Sequence, residues 1–145
     1  MFEDKLPDKI KEKARISLGG EYAWKMNDIE EVIDQAQKVG LACVGGQPQF
    51  QLPEGTYELY WINYESTEIK IDELWEDYVV RSANEVKREF NRRCIETDFL
   101  READSFNLIK IKLEEKDFNL LNYLYFVLYF DCNNDTNKGP SDLSK

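Results

Sequence analysis

The stretch from Glu54 to Asp77 carries Glu54, Glu58, Glu65, Glu68, Asp72, Glu73, Glu76 and Asp77 against a single cation, Lys70. Tyr57, Tyr60, Trp61, Tyr64 and Trp75 are interleaved with them. Paired carboxylates can run acid–base chemistry alone, as in glycoside hydrolysis. No spacing singles out one pair here, and carboxylates that begin a helix already serve its positive end. The mixture suits recognition better, because Tyr and Trp dominate interface energetics while charge steers and orients the partner. Glu58, Tyr60, Trp61, Glu65, Glu68, Glu73 and Asp77 are therefore the candidate partner-binding residues, and the partner they fit is a basic protein. One face of the strand carrying the aromatics must pack inward, so at most half of those rings can be contacts. Trp75 begins a helical stripe and is assigned to the core.

Other chemistry is set aside on residue types. The chain has no histidine, which removes Ser-His-Asp and Cys-His pairs, His-ligated zinc and imidazole general bases. Cys43, Cys94 and Cys132 have no CxxC spacing and form neither a zinc framework nor a disulfide scaffold. Cys43 and Cys94 fall in apolar patterns and read as small buried hydrophobes. Asp131, Asn133, Asp135, Asn137 and Asp142 place oxygen ligands with calcium-loop spacing, but Thr136 stands where the sharp turn needs glycine. A polar tail is expected there. Gly45-Gly46 lacks the lysine of a phosphate loop and reads as a tight turn. No catalytic residue, metal or cofactor is expected.

The whole chain points the same way. Its 145 residues fit one domain, and 42% hydrophobic with 13% aromatic content supports a packed core. A net charge of −10 is the wrong polarity for wrapping nucleic acid or lying on an anionic membrane. The start, Met1 to Lys5, is acidic with no apolar run behind it, unlike a signal peptide. The longest apolar run, Tyr123 to Phe130, is too short to span a bilayer. A cytoplasmic protein is expected.

The elements that must position the candidate residues follow from periodicity. Ile10, Ala14 and Leu18 predict a short amphipathic helix over 5–18, stopped by Gly19-Gly20. Asn27 and Glu30 have capping-box spacing ahead of a helix to Lys38, with Ile29, Val32, Ile33 and Ala36 on its buried face and Gly40 closing it. Leu41 to Val44 reads as a buried strand that breaks at Gly45-Gly46. Pro48 and Pro53 then predict an irregular or edge stretch, and Thr56 to Tyr64 a strand. Trp75, Val79, Ala83, Val86, Phe90 and Cys94 form one stripe of a helix from an Asp72 cap to about Arg93. A loop near 96–104 precedes a half-exposed strand over 109–113, and Tyr123 to Phe130 reads as a central strand, with a buried helix as the alternative. The expected fold is a single α+β domain over 1–132, with a mixed or antiparallel sheet of about five strands packed by two to three helices, and a flexible tail over 133–145.

Glu21-Tyr22-Ala23-Trp24, the acidic helix after it, Val39 to Gly46, the Tyr/Trp-rich strand and Asp77-Tyr78-Val79-Val80-Arg81-Ser82 come in an order that resembles a family of small bacterial immunity proteins from polymorphic-toxin and contact-dependent growth inhibition loci. The resemblance covers about half the chain. Where that family follows its Gly-Gly with an Asp and an aromatic pair, this chain has Gln47-Pro48-Gln49. The resemblance implies a non-enzymatic inhibitor of a cognate toxin domain, many of which are basic nucleases. The alternatives are an acidic mimic of nucleic acid that blocks a DNA- or RNA-acting protein, and a carboxylate-dependent hydrolase.

Overall fold

Residues 2–115 and 117–133 are described in a computed structural model of the chain. The N-terminal Lys/Glu segment forms helix α1 over Asp8–Lys13 only, with Ile10 buried. Ala14 already has extended backbone, and Arg15–Ile16 (β1) pairs with Tyr22–Trp24 (β2). Gly19-Gly20 therefore turns a hairpin instead of ending a helix, and Leu18 is fully exposed.

Helix α2, Ile29–Lys38, buries the four residues expected of it. Its start differs from expectation. Met26–Asp28 forms a 3-10 turn, and Asp28 at the cap position makes no side-chain capping hydrogen bond, its carboxylate lying 3.9 Å from the Lys13 ammonium instead. Glu30, the other half of the expected capping box, accepts a hydrogen bond from Asn91 at 3.4 Å. The end is as expected. Gly40 has φ +81, its N–H donates to the Gln37 carbonyl at 3.1 Å, and the Leu41 N–H donates to Ala36 at 2.9 Å. These two bonds satisfy carbonyls the helix leaves open. Gly40→Ala forces an L-residue into that conformation and is expected to cost about 1 kcal/mol. Denaturant unfolding checks it, and unchanged stability would mean that the helix end re-forms without a left-handed residue.

The strands are β3 (Ala42–Gly46), β4 (Pro48–Leu52), β5 (Gly55–Glu58), β6 (Tyr64–Glu65), β7 (Leu124–Val127) and β8 (Tyr129–Asp131). They form two antiparallel sheets, β1-β2-β7-β4-β5 and β6-β3-β8. The chain steps between the sheets at Gln47 and at Leu128, and the Val127 N–H donates to the Gln47 carbonyl at 3.0 Å. Gly45-Gly46 is thus the end of a strand and no break. A Cβ on Gly46 would lie 1.8 Å from the Val127 oxygen, so only glycine permits the approach. Pro48–Leu52 is neither irregular nor an edge. It runs buried between β5 and β7, with Pro48 at its first position, where a missing N–H is tolerated. The expected strand over Thr56–Tyr64 divides into β5 and β6, with Leu59 and Ile62 buried at the crossing. Of the run Tyr123 to Phe130, Tyr123 ends a 3-10 turn and the rest is strand on either side of Leu128, Leu124–Val127 in the first sheet and Tyr129 and Phe130 in the second.

Helix α3, Trp75–Glu96, starts three residues after Asp72, which does not cap it. It buries Tyr78, Val79, Ser82, Ala83, Val86 and Phe90 against β3 and β6, and α2 packs beside it. Trp75 is only half-buried, and its indole N–H donates to the Gly40 carbonyl at 2.9 Å. The expected loop holds α4, Phe99–Glu102, and Phe90 and Phe99 meet Phe126 edge-on at 5.1 and 5.8 Å. Residues 107–113 form α5, Asn107–Leu113, not a strand. Only Ile109 of the alternating set is buried, while Ile111 is exposed, so no sheet face exists for that alternation to fill. The result is one α+β domain with a five-stranded and a three-stranded antiparallel sheet. The expected tail, and the calcium-like spacing to Asp142, lie outside the described residues beyond Asn133.

Candidate functional site

The seven sequence-derived residues fall in separate places. Glu58 ends β5, and Tyr60 and Trp61 follow it in the crossing to β6 at 65% and 46% exposure. Their exposure follows from the alternation with Leu59 and Ile62, which take the core side. The Trp61 indole N–H donates to Glu102 Oε1 at 2.6 Å, and its ring lies 6.1 Å from Phe106, which Tyr57 also approaches at 5.3 Å. Trp61 is thereby held in one orientation on the surface by α4 and the turn after it. The Tyr60 hydroxyl donates to Glu58 Oε2 at 3.2 Å, and that carboxylate's charge raises the Tyr60 hydroxyl above its ordinary pKa.

Sequence reasoning missed the groups that extend this corner. Tyr129 on β8 donates to Glu21 Oε2 at 2.7 Å, and Gln47 Nε2 donates to both Tyr129 Oη at 2.9 Å and Glu58 Oε1 at 2.8 Å. Glu21 and Glu58 border a groove of about 380 Å³ together with Ser17, Leu18, Gly19 and Thr56. Among the described residues, neither carboxylate is ion-paired. Burial, and the hydrogen bond that Tyr129 gives Glu21, hold the Tyr129 phenol well above its usual range, so it stays a proton donor. Glu21 and Tyr129 are 108 positions apart, and only the meeting of β2, β8 and β5 reveals them. In the same sheet Gln49, opposite Glu58 on β4, is fully buried, and its Nε2 has no hydrogen-bond partner among the described residues.

Glu68, Glu73 and Asp77 surround the start of α3. The Arg81 guanidinium organises them. It pairs with Glu73 through Nε at 2.7 Å and Nη2 at 2.8 Å, with Glu85 at 3.1 Å, with Thr67 Oγ1 at 2.6 Å and with the Glu68 carbonyl at 3.0 Å. The Arg81 fork holds the Glu73 carboxyl down to about 2. Glu73 is thus a fixing point of the 66–74 loop, while Glu68 on that loop and Asp77 in the first turn of α3 are exposed. Glu65, on β6 opposite Gly45, is exposed and sits with neither group.

Burial pushes Cys43 up to about 12 and Cys94 up to about 11, so both remain protonated at neutral pH. Among the described residues no cluster of three or more His, Cys, Asp or Glu could hold a metal ion, and no helix is long and apolar enough to cross a membrane. No family model, curated protein or solved structure matches the chain.

Proposed function

We propose that the protein is a bacterial immunity protein that binds and neutralises a cognate, basic toxin domain through an acidic, aromatic surface. The observation that carries this reading is the corner where Tyr60 and Trp61 stand exposed beside Glu58 and Glu102. A tryptophan fixed by a hydrogen bond loses little side-chain freedom on docking, and carboxylates around it favour a cationic partner. The net charge of −10 adds long-range attraction that speeds encounter at low salt. The reading places the protein in the cytoplasm as an inhibitor without catalytic activity of its own.

The test is capture of partners from cell lysate on the tagged protein at low salt, followed by a salt gradient. A single basic toxin-like protein released late supports the reading. A set of nucleic-acid enzymes released together favours a mimic of nucleic acid instead. Against the captured partner, Trp61→Ala is expected to weaken binding by about 2 kcal/mol, as loss of a central aromatic anchor does. Because Trp61 is more than half covered, approaches Phe106 and donates to Glu102, the unfolding midpoint is measured alongside, and a loss of stability without a loss of affinity would make the ring structural. Intact affinity, measured by calorimetry, would remove this corner from the interface.

A further inference from the structure

Beside the Arg81-fixed loop lies a pocket of about 400 Å³ lined by Val44, Glu68, Ile69, Trp75, Tyr78, Asp131 and Asn133. Its walls are aromatic, with the Trp75 and Tyr78 rings 5.5 Å apart and nearly edge-to-face, and it carries two carboxylates. We infer that this pocket receives an arginine side chain of the protein partner, its guanidinium against the aromatic walls and its N–H groups directed to Glu68 and Asp131. The inference rests on the proposed recognition of a basic protein and names the chemistry by which that protein is gripped.

Three features favour a guanidinium. Its flat face stacks on aromatic rings while its edge forks onto carboxylates, a combination that an ammonium group matches poorly. The same protein already shows that pairing next door, where Arg81 lies 5.2 Å from the centre of the Tyr78 ring and forks onto Glu73. Among the described residues, the Glu68 side chain makes no ion pair or hydrogen bond and the Asp131 carboxylate accepts only the neighbouring Cys132 N–H, at 2.9 Å. The pocket is also preformed. Arg81 holds the Thr67 and Glu68 backbone from one side, and the Trp75 indole is tied to Gly40 from the other. A site built in advance loses little on closing around its ligand. Ile69, Leu74 and the fully exposed Ile71 stand on the same loop as apolar contacts around the charged centre.

The test uses the full chain and N-acetyl-arginine-amide as probe, followed by NMR at the Trp75 indole N–H and the backbone amides of Glu68 and Ile69. The expected result is a saturable shift confined to this pocket, with N-acetyl-lysine-amide binding several-fold more weakly. Glu68→Gln and Asp131→Asn are each expected to weaken the probe about tenfold, the loss of one charge-assisted hydrogen bond. Glu12→Gln, an exposed carboxylate on α1 outside both candidate regions, changes nothing. Shifts spread evenly over the acidic surface, lysine binding as well as arginine, or no saturation would overturn the assignment. Because the probe needs no toxin, a filled pocket without any captured partner would sink the immunity reading alone, and the reverse outcome would sink the pocket alone.

Discussion

Gly46→Ala is expected to cost about 4 kcal/mol or more, enough to remove most of the stability of a domain this size. The added Cβ would meet the Val127 carbonyl oxygen at 1.8 Å and its carbon at 2.8 Å, both backbone atoms. Neither can swing aside as a side chain does. Val127 is also tied twice at this point, since its N–H donates to Gln47 and its carbonyl accepts the Tyr64 hydroxyl at 2.8 Å. Moving Val127 would therefore break the step between the two sheets on both chain segments at once. Gly55→Ala supplies the contrast. Nothing lies within 4 Å of its Cβ position and its φ is not in the left-handed region, so a change within about 0.5 kcal/mol is expected. Chemical denaturation of the pair measures both. A stable Gly46→Ala variant would mean that the crossing is looser than these distances say. The same crossing positions Gln47 and Tyr129, so its loss also dismantles the groove between Glu21 and Glu58.

What was legible in the sequence was what a local pattern can encode. The buried face of α2 and the glycine that closes it follow from 3.6-residue spacing and one positive φ. The stripe of α3 follows in the same way, apart from Trp75 and Cys94 at its two ends, which are only half-buried. What was illegible depended on partners far along the chain. Nothing local tells that Gly45-Gly46 continues a strand, because the reason is the Val127 carbonyl 81 positions later. Pro48 reads as a breaker until it sits at the first position of a strand with neighbours on both sides. The alternation at 109–113 was real but had no sheet to join. For the candidate site, composition located the acidic aromatic window but could not separate working groups from structural ones. Glu73 and Glu68 look alike in sequence. Arg81, eight positions after Glu73 and thirteen after Glu68, takes the first carboxylate and only the backbone of the second.

That difference makes Arg81→Ala the most informative change around the 66–74 loop, with an expected cost of about 2–3 kcal/mol. The figure reflects several charge-assisted hydrogen bonds, reduced because the group is partly exposed. The Glu73 carboxyl, held at about 2 by Arg81 and the Lys70 N–H, is expected to return towards its ordinary 4.5. A carboxyl whose folded pKa is lowered stabilises the fold above its unfolded value and loses that contribution as pH falls towards the folded one. Wild-type stability should therefore decline between about pH 4.5 and 2 more steeply than that of Arg81→Ala, and parallel curves would mean that the pair is not formed in solution. Hydrogen exchange reads the loop directly. The Thr67 N–H donates to Glu85 and the Lys70 N–H to Glu73, and both should lose protection in the variant while the amides of α2 keep theirs. Arg81→Lys keeps the charge but lacks the fork, so it should restore only part of the protection. If the arginine pocket depends on this loop being fixed in advance, Arg81→Ala must also weaken the arginine probe although Arg81 does not line the pocket. Protection lost with probe affinity intact would show that the pocket assembles around its ligand.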